Sequence, residues 1–392
     1  MKKTIFFLID GLADSFKNSP LRLANKKFID SKLKESFLGY LLPTSKRYWR
    51  NKSNEASISG IATLSLLGYK IKNNFKRGPY EAIGNDIFYK NGWLALRVDF
   101  ATVDKNLKVL DRRAGRNDYG LYDLTKSINK VKFEIPFKLY HTTLHRGVLI
   151  FRKKLSDKIS DSDPYENDKK VRKIRALKND KLSIYTANIL QRFLDKAYKI
   201  LDKNKINLER EKKNIPKANY LLTRQAGNRI LKFENFFKKN KIKNGILISE
   251  KGVVVGVCKI LGFKIDNIKE AKSIKEELKF AKDKILKNYK KFELVLVHLK
   301  KGDEAGHDKD FYKKKRFFEE FDMFLRDIYK DIKDSKIVIT GDHITDVRIG
   351  KHLYGPVPIL IIDSKLKNYP KEFSEKEALK YKVKNIWKII ND

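Results

Sequence analysis

Asp and His residues stand at a few short points of this 392-residue chain. Asp10 occurs in Ile9-Asp10-Gly11, and Asp303 and His307 in Gly302-Asp303-Glu304-Ala305-Gly306-His307. Asp342 and His343 occur in Thr340-Gly341-Asp342-His343, and His352 in Gly350-Lys351-His352. Mixed imidazole and carboxylate ligands suit Mn²⁺, Zn²⁺ or Co²⁺. Asp303 and His307 are four residues apart, so one helical turn sets both on the same side. Two such ions a few ångströms apart can hold the entering and leaving oxygens of a phosphoryl group. Each piece alone is weak. Asp-Gly after an apolar run is usually a turn, Asp-x-x-x-His arises often on solvated helix faces, and Gly-Asp-His can cap a helix. Their shared position after apolar runs is what gives them weight. His298 lies inside such a run and reads as a hydrogen-bonded core or supporting residue, and His141 and His145 read as surface groups.

A nucleophile is less plainly written. Ser57-Ile58-Ser59-Gly60-Ile61-Ala62-Thr63-Leu64 precedes the apolar Leu66-Leu67-Gly68-Tyr69. Ser59 would stand at a helix N-terminus, where backbone N–H groups and the dipole favour phosphate. A plain helix N-cap serine is the simpler account of these residues taken alone.

The elements that must position these groups are short apolar runs with the look of buried parallel strands. They are Thr4–Ile9, Gly245–Ser249, Phe292–His298, Lys336–Thr340 and Val357–Ile362. Between the later ones lie helical patterns over Ile268–Leu286 and Asp308–Lys333. In the second, Phe317, Phe321, Phe324, Ile328 and Ile332 recur at spacings of three and four, which marks one buried face. This alternation predicts an open, mostly parallel α/β sheet with helices on both faces, whose ligands bind at the carboxyl ends of the strands. The middle differs. Trp93–Phe100, Gly147–Arg152 and Tyr220–Thr223 read as strands and Leu182–Ile206 as a long helix. The expected organisation is a metal-binding catalytic α/β domain made of residues 1–76 and 228–392, interrupted by an α+β substrate domain over 77–227.

The net charge is +40, from 88 Lys plus Arg against 48 Asp plus Glu. A nucleic-acid or membrane surface is the first thought. Only 19 of the 88 cations are Arg, the Lys residues are spread along the chain, and no zinc-finger or basic-zipper spacing occurs. A diffuse Lys-rich surface suits a small anionic substrate as well, and neither a specific nucleic acid nor a membrane is expected as partner. A non-catalytic nucleic-acid binder would leave the Asp and His set unexplained. The apolar run of five residues from Ile5 to Ile9 ends at Asp10 with no cleavage site, so it reads as a strand rather than a leader. No segment approaches the ~20 apolar residues of a membrane span. Cys258 is the single cysteine, which rules out an internal disulfide and favours a reducing, cytoplasmic setting.

Taken in order, the motifs resemble those of the archaeal-type, cofactor-independent phosphoglycerate mutases of the alkaline phosphatase superfamily. The resemblance runs from end to end. It includes Ile9-Asp10-Gly11, Leu64-Ser65-Leu66-Leu67-Gly68-Tyr69, Arg77-Gly78-Pro79-Tyr80-Glu81-Ala82, Arg112-Arg113-Ala114-Gly115-Arg116 and His145-Arg146-Gly147-Val148. Ser160-Asp161-Ser162-Asp163-Pro164, Val297-His298-Leu299-Lys300 and Gly355-Pro356-Val357-Pro358 continue it. The resemblance implies an alkaline-phosphatase-like fold and two divalent metal ions, Mn²⁺ foremost, with Co²⁺, Zn²⁺ or Mg²⁺ as alternatives. One ion would be held by Asp10, Ser59, Asp342 and His343, the other by Asp303, His307 and His352. It also implies Ser59 as the nucleophile, a small phosphorylated carboxylate as substrate, and no 2,3-bisphosphoglycerate. Arg112, Arg116, Arg146, Arg224 and Lys300 would bind that substrate, with Arg113 an alternative to Arg112, and Asp163 would position glycerate. The chain departs from the family pattern Ser-Asp-Thr-Ala-His-Leu at Gly60 and Thr63. That departure leaves open a related phosphotransferase or phosphatase acting on a homoserine or sugar phosphate.

Overall fold

Six consecutive apolar or β-branched residues, Thr4–Ile9 (β1), are buried along their whole length. Such a strand must have neighbours on both edges and cover on both faces. The computed structural model, which describes residues 2–49, 58–71 and 75–391, supplies them. β1 pairs in parallel with Leu294–Leu299 (β10) on one side and Lys336–Gly341 (β11) on the other. Gly245–Ser249 (β8) and Lys264–Asn267 (β9) extend the sheet beyond β10. Beyond β11 come Val357–Ile362 (β14) and Ser36–Leu41 (β2), giving the order β2-β14-β11-β1-β10-β8-β9.

Alternate residues of β1 serve opposite faces. Ile5, Phe7 and Ile9 join the core built by the helices Phe311–Ile332 and Ile274–Asn288. Phe7 meets Phe321 and Phe324 edge-on, with ring centroids 5.3 and 5.9 Å apart. On the other face Phe6 stacks on Trp387 of the helix Ile386–Asn391. Each fully buried Phe contributes about 1.5–3 kcal/mol, so these rings hold β1 at the centre.

Two details differ from the sequence expectation. β14 is antiparallel to β11, not parallel. Between them lie only the short antiparallel strands Ile344–Asp346 (β12) and Lys351–Leu353 (β13). Without a helical crossover the chain can only return in the opposite direction. β2 was not legible as a strand, because its run Ser36-Phe37-Leu38-Gly39-Tyr40-Leu41 is broken by Gly39. A β-carbon at Gly39 would lie 2.7 Å from the Tyr381 carbonyl oxygen, so the glycine admits the neighbouring chain.

The sheet and its helices form one compact unit, Met1–Asn74 with Lys232–Asp392; Phe75–Leu231 forms a second. The second is built on the eleven-residue strand Trp93–Val103 (β3). β3 pairs antiparallel with Arg146–Lys154 (β6), Tyr220–Gly227 (β7) and Val109–Asp111 (β4), and Phe137–His141 (β5) pairs with β6. Leu94, Leu96, Val98 and Phe100 face a core shared with Phe151 and Phe193, the latter on the long helix Lys181–Asp202. The alternate positions Arg97 and Asp99 therefore share the opposite face.

Within the first unit a buried ion pair ties three elements that follow different strands. Lys314 Nζ lies 2.8 Å from Asp14, with neither side chain exposed, and donates to the carbonyl oxygens of Thr345 (2.7 Å) and Ala13 (3.4 Å). Lys314→Ala leaves the buried Asp14 carboxylate without its counter-charge and takes one donor from the Thr345 carbonyl, and is expected to cost about 3–5 kcal/mol in urea unfolding. Adding Asp14→Asn to Lys314→Ala should recover part of that loss, because the uncompensated charge is gone while the Val347 N–H keeps an acceptor. A Lys314→Ala variant as stable as the wild type would show that the pair does not hold these loops.

Candidate metal centre and a charged sheet face

Parallel register brings the ends of β1, β10 and β11 to one level: Ile9 pairs with Leu299 and with Gly341. The next residues in sequence are Asp10, Lys300 and Asp342. The Asp10 N–H donates to the Leu299 carbonyl (2.8 Å) and the Gly11 N–H to Asp342 Oδ1 (3.1 Å). Gly11 is at φ +61°, and a β-carbon there would lie 2.7 Å from Asp303 Oδ1. The turn after β1 needs glycine for its backbone and for the space that Asp303 occupies.

Asp303 and His307 stand on the short helix Lys301–His307, and His352 on β13. Two ligand groups result, Asp10 with Asp342 and His343, and Asp303 with His307 and His352. Within each, the ligand atoms lie within 4.8 Å of one another. The rings of His343 and His352 are 4.0 Å apart, so the groups adjoin.

Hydrogen bonding settles which ring nitrogens face inward. The Gly350 carbonyl can only accept, so His307 Nδ1 donates to it (2.9 Å) and Nε2 turns its lone pair toward Asp303 Oδ2, 3.4 Å away. Thr345 spends its one hydroxyl proton on Asp303 Oδ1 (2.6 Å) and so accepts from His343 Nδ1 (3.2 Å). His343 Nε2 then presents a lone pair 3.1 Å from Asp10 Oδ1 and 3.3 Å from Asp342 Oδ2. These three atoms and His352 Nε2 are buried without a hydrogen-bond partner among the described residues. Lone pairs converging in a buried site repel unless a cation lies among them. The Asp342 carboxyl registers the same conflict: burial and then the Asp10 charge push it well above the usual carboxylate range. The donor set fits divalent metal.

His298, on β10, sits behind this cluster. Its Nδ1 is 3.1 Å from Ser249 Oγ and its Nε2 3.7 Å from Asp10 Oδ2, and burial pushes the ring down to about 4. Lys300 Nζ is engaged by Glu250 Oε2 at 3.3 Å and the Lys251 carbonyl at 3.2 Å. Ser59 is half-buried in the first turn of the helix Ile58–Leu66. Thr63, fully buried, donates its hydroxyl to the Ser59 carbonyl at 2.7 Å. Thr345 was not singled out in the sequence. Its place two residues after His343 on an extended segment was the available signal.

The second unit carries a different chemistry. Thirteen of the 19 arginines fall within Phe75–Leu231, and register collects several on one sheet face. Arg97 stands opposite Arg224 and Asp99 opposite Arg146. Asp99 pairs with Arg224 and, at 3.4 Å, with Arg97. Although burial alone would raise it, Arg224 and Arg97 hold the Asp99 carboxyl well below its ordinary range. Burial pushes Arg97 down to about 9. Arg113 is lowered by burial and by the like charges of Arg116, Arg112 and Arg146. His145, expected on the surface, is 3% exposed, and burial among these cations pushes it down to about 3. Its neighbours on β6 carry it into the sheet, which a single histidine after a turn does not reveal. Asp163 is fully buried and already holds Arg112 through both carboxylate oxygens, at 2.9 and 2.6 Å. It orients Arg112.

A mostly parallel sheet whose carboxyl edge gathers buried carboxylates and imidazoles marks a class, the α/β enzymes built to hold divalent metal. Comparison with known proteins then narrows it. Residues 52–207 match the family model described as 2,3-bisphosphoglycerate-independent phosphoglycerate mutase. The mutase of that name from Methanococcus vannielii is 37% identical over 376 residues, covering 92% of this chain and 88% of its own. That from Methanosphaera stadtmanae is 33% identical over 397 residues, covering 96% and 93%. A solved structure from Pyrococcus horikoshii superposes with TM-score 0.76 at 25% identity, covering 100% of this chain and 96% of that one. The cofactor-independent phosphoglycerate mutase from Thermoplasma acidophilum shares the fold with TM-score 0.59 at 24% identity, covering 100% and 98%. The chain belongs to the 2,3-bisphosphoglycerate-independent phosphoglycerate mutase family.

Thr345 orients a ligand in each group, so Thr345→Val is expected to weaken Mn²⁺ binding about 10–100-fold in calorimetric titration while the melting temperature without added metal moves little. Unchanged affinity would remove Thr345 from the support of both groups.

Proposed function

We propose that this chain interconverts 2-phosphoglycerate and 3-phosphoglycerate, without 2,3-bisphosphoglycerate, through a phosphoserine at Ser59. The observation that carries this reading is the convergence of six Asp and His side chains into two adjoining ligand groups, in a chain of this family. In the reading, one ion is held by Asp10, Ser59, Asp342 and His343 and the other by Asp303, His307 and His352. Two divalent ions, Mn²⁺ foremost and Co²⁺, Zn²⁺ or Mg²⁺ as alternatives, would neutralise charge on the transferring phosphoryl group and ease ionisation of the serine hydroxyl.

The chain's own groups do the rest. Ser59 Oγ forms a bond to phosphorus as the ester oxygen of the substrate leaves with the proton that glycerate requires. Glycerate reorients, its other hydroxyl takes the phosphoryl group back, and Ser59 regains its proton. Arg112, Arg116, Arg146 and Arg224 offer guanidinium forks that match carboxylate and phosphate in geometry as well as charge. Lys300 is a weaker member of this set, because Glu250 and the Lys251 carbonyl already occupy its ammonium group. Retaining glycerate and excluding water separates a mutase from a phosphatase. The single free cysteine, buried Cys258, is in keeping with a cytosolic enzyme.

A second reading on the same scaffold, a phosphotransferase or phosphatase acting on a homoserine or sugar phosphate, is favoured by one feature. Gly60 brings no polar group beside Ser59, and the Thr63 hydroxyl is spent on the helix backbone. Neither can help to hold glycerate.

The two readings part in a coupled assay converting 3-phosphoglycerate to 2-phosphoglycerate without 2,3-bisphosphoglycerate. Activity should disappear with a chelator, return with Mn²⁺, and fall by at least about a thousandfold in Ser59→Ala. Metal-loaded protein that is inactive on both phosphoglycerates but turns over homoserine phosphate or a sugar phosphate would establish the second reading instead.

A further inference from the structure

Tyr165 stands among arginines in the second unit. Its backbone is left-handed, at φ +68°, a conformation that β-carbon sterics disfavour for a bulky side chain. Three arginines surround its ring. The guanidinium carbons of Arg112, Arg172 and Arg224 lie 5.8, 5.6 and 5.8 Å from the ring centroid, inside the roughly 6 Å over which a ring face attracts a cation. These residues come from separate parts of the chain, and their like charges repel one another.

The loop that carries Tyr165 is pinned from both ends. Its N–H donates to Asp163 Oδ1 at 2.7 Å and its hydroxyl to Asp161 Oδ2 at 2.5 Å. Asp161 Oδ1 in turn accepts the Gln225 N–H of β7 at 2.8 Å. Asp163 grips Arg112 and lies 3.3 Å from Arg224 Nε. With its hydroxyl committed to Asp161 and its ring to the arginines, Tyr165 acts through its neighbours.

We propose that Tyr165 is a positioning residue, whose ring, with Asp163, gathers Arg112, Arg172 and Arg224 into one group that recognises the anionic ends of phosphoglycerate. The proposal rests on the mutase reading for the identity of that anion. The ring, within 5.8 Å of three guanidinium carbons, is the telling feature. Other bulky residues of this chain, Leu107, Leu144 and Tyr369 among them, share the left-handed backbone, and Asn, which adopts it readily, would keep the loop and lose only the ring.

The experiment compares metal-loaded wild type, Tyr165→Asn and Tyr165→Phe. Calorimetric titration with 3-phosphoglycerate and with inorganic phosphate is read beside melting temperature and steady-state kinetics. Tyr165→Asn should melt at or above the wild-type temperature yet bind both anions about tenfold more weakly, its KM rising by the same factor while kcat falls less than about threefold. Tyr165→Phe, which keeps the ring, should restore most of the lost affinity. Wild-type anion affinity in Tyr165→Asn would overturn the proposal, and so would a Tyr165→Phe variant as weak as Tyr165→Asn. A wild type that binds neither anion would overturn it as well. If the wild type does not interconvert the phosphoglycerates but phosphate binding still drops in Tyr165→Asn, the positioning role stands and the mutase reading falls.

Discussion

Mutual repulsion among Asp10, Asp303 and Asp342 is the constraint on which the first unit is organised. Two of these carboxylates end parallel strands and the third begins the helix that follows β10. Register brings Asp10 and Asp342 together, the helix after β10 adds Asp303, and burial makes the closeness costly. The surrounding sequence is arranged to tolerate this. Gly11 leaves room for Asp303, Thr345 hands its proton to Asp303 and takes one from His343, and the Gly350 carbonyl turns the lone pair of His307 inward. The result leaves Asp10 Oδ1, Asp342 Oδ2, His343 Nε2 and His352 Nε2 without a hydrogen-bond partner among the described residues, a need that a dication satisfies. The aromatic core behind β1 keeps the three strand ends level against this repulsion.

The second unit solves the opposite problem. There the crowded charges are cations, and buried carboxylates are placed among them as counter-charges. Asp99 serves Arg97 and Arg224, Asp163 serves Arg112, and Glu81, held at about 2 chiefly against burial by Arg77 and Arg97, serves the edge of the same face. Such pairs add little stability beyond what desolvation removes, but they fix guanidinium planes in place. A prearranged fork loses less entropy on meeting an anion than a surface lysine does. This is why the chain's many lysines say less about its ligand than its few arginines.

Part of this was legible from the residues in order. The runs Thr4–Ile9, Gly245–Ser249 and Val357–Ile362 read as strands with the observed ends, since a strand buried on both faces leaves an unbroken apolar stretch. The four-residue interval from Asp303 to His307 does span one helical turn. Less was legible where neighbours decide. β2 carries a glycine that only its partner chain explains, and β14 shows nothing of its direction, because an antiparallel strand buried on both faces looks like a parallel one. His145 was misplaced, and the grip of Asp163 on Arg112 was not legible, because burial and ion pairing come from segments distant in sequence.

The amino-acid order by itself therefore determined most of the sheet strands, the apolar stripes and the Asp and His residues that stand at strand ends, because these depend on periodicity and local spacing. Only the tertiary structure decided which carboxylate faces which imidazole, which ring nitrogen keeps its proton, and that three arginines close around Tyr165. Those outcomes follow from strand register and from the competition between desolvation and charge, and both are set by contacts between segments that the chain brings together only when it folds.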